Sequence, residues 1–137
     1  MMKLRLGKPT NRTNTGPHFS GDVQRVVVKY DYEHDNGAIE WQEVVFNEVL
    51  HFNFGSASCC AAEDIVGATE VACLNESELL RVTLKKWQES IGWQDWQQQQ
   101  GGSARFRHFK MYFDDAACLD VIAATCEVLV QSTTADI

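Results

Sequence analysis

No apolar run in these 137 residues approaches the roughly 20 that span a bilayer as a helix, which argues against an integral membrane protein. No apolar stretch follows the basic Lys3, Arg5 and Lys8, so the N-terminus lacks the pattern of a secretory signal. Basic residues are scarce: twelve Lys and Arg against nineteen Asp and Glu leave a net charge of −7. A nucleic-acid binder needs a net basic face to displace phosphate counterions, so that class is disfavoured. No Cys-x-x-Cys occurs, and His18, His34, His51 and His108 stand far apart, so no zinc pattern is present and no metal is expected. The serines form no Gly-x-Ser-x-Gly elbow and the glycines no phosphate loop. No recognised catalytic constellation remains, catalytic residues are unknown at this level, and no cofactor is expected.

What is present suits one β-rich domain. Apolar residues make up 45% of the chain and charged residues 23%. A chain of this length buries roughly two-thirds of its unfolded surface without disulfides or metals. The five cysteines, Cys59, Cys60, Cys73, Cys118 and Cys126, are odd in number and match no disulfide framework. Free thiols and no export signal point to a reducing cytoplasm. Cys73, Cys118 and Cys126 read as small buried residues; Cys59 and Cys60 lie in a small-residue segment over 56–62.

Residues 1–21 hold four basic residues and no acidic ones. Rich in Thr, Asn, Gly and Pro, they read as a flexible basic arm. Such an arm could also fold back on the acidic remainder, where eight basic face nineteen acidic residues, a balance of −11. Residues 22–137 read as a single β-rich globular domain.

Val26, Val28, Tyr30 and Tyr32 alternate with Val27, Lys29, Asp31 and Glu33, the period of a half-buried strand. Asn36-Gly37 then signals a hairpin. Residues 38–54 read as strand throughout, with a change of parity. Ile39 and Trp41 share one face; Val44, Phe46, Leu50, Phe52 and Phe54 share the other. Seventeen extended residues reach about 55 Å at ~3.3 Å each, too far for one flat strand, so a bulge or bend is expected near Gln42–Glu43. Thr69 to Leu74 reads as another strand.

The best helix lies over 76–90. Asn75 is the expected N-cap with Glu78 completing the box, and Leu80, Leu84, Trp87 and Ile91 form one stripe. A strand over 80–87 is the rival. Beyond a glutamine and glycine run, Phe109, Met111 and Phe113 alternate with His108, Lys110 and Tyr112. Leu119, Val121 and Ala123 alternate with Cys118, Asp120 and Ile122, and Cys126, Val128 and Val130 follow. The fold class is mainly β, α+β at the margin: an antiparallel, bent sheet forming a β-sandwich or open barrel with one main helix.

Each candidate site has a plain structural reading. Asp31, Glu33 and Asp35 superficially resemble a calcium loop, but Asn36 and Gln42 stand where glycine and glutamate are needed, so a solvated strand face is expected. Asp114 and Asp115 are adjacent, which suits a turn better than a shared proton. His108 and His51 read as surface or edge histidines, because the sequence names no partner for either. Trp93 and Trp96 are the tryptophans least easily buried, and they form the candidate interaction surface. The run Phe106 to Glu127, with its Tyr-Phe-Asp-Asp and Asp-Val-Ile-Ala segments, resembles small bacterial proteins in general character, which implies neither an activity nor any site residue. The reading favoured is a small acidic, non-catalytic cytoplasmic interaction module, with a protein partner such as a basic one, or with self-association. The alternative is a small-molecule binder or enzyme with a pocket inside the curved sheet.

Overall fold

The alternation at Val26–Tyr32 forms β3 (Arg25–Glu33), and the Asn-Gly turn reverses it into β4 (Ile39–Ser56). Gly37 takes a positive φ of 85°, and the Asn36 side chain accepts the Ala38 N–H at 2.9 Å. These are the turn properties for which Asn and Gly are selected. The computed structural model describes residues 2–56, 69–91, 102–113 and 117–130. The other strands are β1 (Met2–Arg5), β2 (His18–Asp22), β5 (Glu70–Leu74), β6 (Arg107–Phe113) and β7 (Ala117–Val130). A helix, α1 (Glu78–Ile91), follows β5, and a 3-10 turn over Gly102–Arg105 precedes β6. All seven strands join one antiparallel sheet in the order β1-β5-β6-β7-β4-β3-β2. It is a single sheet, neither paired into a sandwich nor closed into a barrel.

The sheet is strongly curled. The Tyr30 and Phe113 rings meet edge-on at 5.7 Å, although β3 and β6 are three strand steps apart. On a flat sheet those steps would separate them by about 14 Å, at roughly 4.8 Å each. The concave face is filled by Val28, Tyr30, Phe46, Met111, Leu119 and Val121, all buried. The opposite face carries α1, whose Leu80, Leu84 and Trp87 pack against Phe106 and Ile122. This is the expected helical stripe; the Ile91 side chain lies outside the described residues. The helix begins two residues later than expected. Its N-cap is Ser77, not Asn75: Ser77 Oγ accepts the Leu80 N–H at 3.0 Å.

The bend in β4 is also displaced. The irregularity falls between Glu48, at φ 54°, and His51, where the register with β7 shifts. No slip is needed at Gln42–Glu43, because Gln42 itself points inward and is fully buried. Its side chain donates to the Leu129 and Glu43 carbonyls and accepts the Lys8 N–H. Ile39 and Trp41 therefore simply face outward.

Residues 1–21, expected as a flexible arm, instead supply β1 and all but the last residue of β2, the two outer strands. β1 pairs with β5 at one edge and β2 pairs with β3 at the other. The chain between them crosses from edge to edge. Tyr30 Oη donates to the Lys8 carbonyl, Thr10 Oγ1 to the Tyr112 carbonyl, and Glu33 N–H to the Arg12 carbonyl at 3.0 Å. Asp31, expected on a solvated face, is buried and accepts the Asn14 N–H at 2.7 Å and the Thr15 N–H at 3.2 Å. The basic residues meet acidic ones of the same chain: Lys3 with Glu70 at 3.5 Å, Lys8 with Glu40 at 2.9 Å, and Arg12 with Asp35. Three of the arm's four basic residues are thus paired internally.

Candidate functional site

Two places gather chemically distinctive groups. The first lies under the start of α1. β6 and β7 pair Lys110 directly with Asp120, and His108 is two residues along β6 on the same face. Asp120 Oδ1 accepts from Lys110 Nζ at 2.7 Å and lies 2.7 Å from His108 Nε2. His108 Nδ1 lies 2.8 Å from Ser77 Oγ, the capping hydroxyl of α1. The network is satisfied when Ser77 donates to Nδ1 and the imidazole donates from Nε2 to Asp120. His108, expected at the surface or an edge, is buried, with its side chain 4% exposed. The strand period placed it opposite the apolar core, and α1 covers that second face too.

Burial pushes the Asp120 carboxyl up, but the hydrogen bonds from His108 and Lys110 and the charge of Lys110 outweigh it and hold it below its ordinary value. Ser77 borders a cleft of about 520 Å³ lined also by Asn75, Glu78, Arg81 and Leu84. Hydroxyl, imidazole and carboxylate stand in line, as in nucleophile activation. Here, however, the hydroxyl is held by the Leu80 N–H and the carboxylate is shared with a lysine. What the cluster does in the structure is fasten the beginning of α1 to β6 and β7.

The second place is the β2 edge. All five residues of β2 are exposed, and among the described residues the strand pairs on one side only. Beside it, where β4 bends, lies a cleft of about 360 Å³ lined by Phe19, Val23, Val26, Val49 and Phe52. His51 also lines it, half-buried, on the stretch of β4 that among the described residues pairs with β7 alone. Phe19 is 40% exposed, Val23 67% and Phe54 38%. Phe19 packs its ring on Phe52 at 5.1 Å and Phe54 at 5.0 Å. The opposite edge differs: β1 presents Met2, Lys3, Leu4 and Arg5.

Of the residues singled out in the sequence, Trp93, Trp96, Asp114, Asp115, Cys59 and Cys60 lie outside the described residues. Trp87 packs on Phe106, and Trp41 lies against His18 and under Lys29. Cys118, expected as a free buried thiol, is disulfide-bonded, which removes the thiol argument for a reducing compartment. Cys73 and Cys126 carry free thiols, and burial pushes the latter up to about 12, so it stays protonated at neutral pH. Among the described residues no three His, Cys, Asp or Glu side chains are grouped to hold a metal ion, and no helix is long and apolar enough to cross a membrane. Compared with protein-family models, with curated proteins and with solved structures, the chain matches none.

Proposed function

We propose that the chain is a small acidic, non-catalytic protein-interaction module. Its docking site is the outer side of β2, where an incoming extended segment adds a strand. An apolar side chain of that segment would seat in the adjacent cleft. The observation that carries this reading is the combination at one edge: five exposed residues that, among the described residues, are hydrogen-bonded on one side only, beside an apolar cleft. Strand addition draws affinity from main-chain hydrogen bonds and specificity from a pocket for alternate side chains. The filled concave face favours this over a ligand pocket inside the curved sheet.

The test is selection of extended peptides from a displayed library against the full chain, followed by NMR mapping of the selected peptides. Amide shifts at His18–Asp22, Val23, Val26 and Phe52, lost in Phe19→Glu, support the proposal. Selected peptides that map instead to the cleft beside Ser77 overturn it.

A further inference from the structure

We propose that the occupant of the β2 edge is β2 of a second copy of this chain, paired antiparallel about a two-fold axis at Ser20. This rests on the docking reading above and names its partner. β2 pairs with β3 from His18↔Lys29 to Asp22↔Arg25, with only Val23 and Gln24 between. Across so short a connection, the closing pair turns its N–H and C=O groups toward each other. Alternation then turns those of Ser20 and His18 toward β3 as well, and those of Phe19 and Gly21 outward. The Arg25 carbonyl lies where this phase requires: a Cβ on Gly21 would meet its oxygen at 2.0 Å.

A two-fold axis at Ser20 sets Phe19 opposite Gly21 of the second copy, and Gly21 opposite its Phe19. The residues with outward backbone groups therefore meet each other. The same register sets His18 opposite Asp22 of the second copy, twice over by symmetry. Asp22 uses Oδ1 to accept the Gln24 and Arg25 N–H groups, and Oδ2 accepts no hydrogen bond among the described residues. Phe19 falls over a residue with no side chain to collide with. The hairpin itself requires glycine there, because φ is 114° and the Arg25 carbonyl fills the space of a Cβ. Sliding one copy by two residues leaves only three residues of each β2 paired and separates His18 from Asp22. The β1 edge offers no such match, since Lys3 and Arg5 repel their own copies. An edge of five residues supports a weak, concentration-dependent dimer.

The experiment is sedimentation velocity on the full chain over a concentration series, with amide hydrogen exchange at its two ends. The expected result is a species of twice 15.5 kDa that grows with concentration. Phe19 and Gly21 amides become protected only in the concentrated sample. Phe19→Pro removes an outward N–H without touching the β2–β3 bonds, and abolishes the dimer. His18→Asp sets carboxylates face to face and weakens association roughly three- to tenfold, whereas His18→Lys keeps it. Thermal melts confirm that each variant is folded, and His18→Asp carries the test if Phe19→Pro does not fold. A monomer at every concentration, or a dimer indifferent to both variants, overturns the inference. A monomer that still binds selected peptides along β2 overturns the second copy alone. A monomer that binds none there overturns the docking edge as well.

Discussion

The two faces of β6 are built from alternate residues of one seven-residue strand and hold the molecule together in different ways. Phe109, Met111 and Phe113 enter the concave core, where area removed from water and close packing stabilise. His108 and Lys110, on the other face, are almost as deeply buried. They stabilise only as members of a closed set, because each needs Asp120 and His108 also needs Ser77. The apolar face tolerates imperfect neighbours and loses energy in proportion to volume. The polar face is all-or-none: remove one member and the others keep their desolvation without their partner.

Substitutions on each side measure that contrast. Phe113→Ala, at 1% exposure, has the largest expected effect, about 3–5 kcal/mol in denaturant unfolding. Asp120→Ala follows, at about 2–3 kcal/mol, below the value for a fully buried pair because its side chain is 14% exposed. The contrast sharpens in the double variant Asp120→Leu, Lys110→Met, which removes both charges and recovers most of that loss. A double variant as unstable as Asp120→Ala would mean that the two faces obey the same rule. Ser77→Ala loses only the cap, about 1 kcal/mol, and frays the first turn of α1 in hydrogen exchange. Lys3→Ala, at the exposed β1 edge, shifts stability by no more than about 0.5 kcal/mol.

Acid supplies an independent measure of the polar face. The Asp120 carboxyl is held below its ordinary value in the fold, so its contribution is present above the unfolded value and is lost as pH falls through the folded one. Unfolding followed below about pH 4 should therefore show a shallower acid limb in Asp120→Asn than in the parent chain. Tyr30 provides the alkaline counterpart. Burial raises its phenol, so stability present below about pH 10 is lost as pH rises further, and Tyr30→Phe removes that limb.

Apolar periodicity made β3, β6, β7 and α1 legible in the sequence, and Asn36-Gly37 made the hairpin legible, because each is a local pattern with a local cause. Asp31 and His108 depart from the sequence expectation, and the burial of Gln42 goes unmarked by it, for one reason. A polar residue is assigned outward until its partner is known, and these partners lie far along the chain: Lys8 and Leu129 for Gln42, Asn14 and Thr15 for Asp31, Ser77 and Asp120 for His108. The bend in β4 is displaced because the apolar Ile39 and Trp41, rather than the buried Gln42, set the expected parity of that stretch. Its Thr, Asn, Gly and Pro content makes the N-terminal segment read as loose, although β5 and Gln42 partner its backbone and the Tyr112 carbonyl accepts from its Thr10 hydroxyl. The exposed β2 edge carries only one large apolar residue, Phe19, and no periodicity marks it.

The crossing of residues 6–17 from one edge to the other has a consequence for biosynthesis. A ribosome releases this segment before the strands that β1 and β2 pair with, but its halves find their places at different times. β2 can pair as soon as β3 has emerged. β1 must wait for β5, and Thr10 finds its acceptor only when Tyr112 arrives. A nascent chain arrested before β5 therefore holds a hairpin at one end and an unplaced β1 at the other. The order of synthesis and the order of assembly run in opposite directions across the first twenty-two residues.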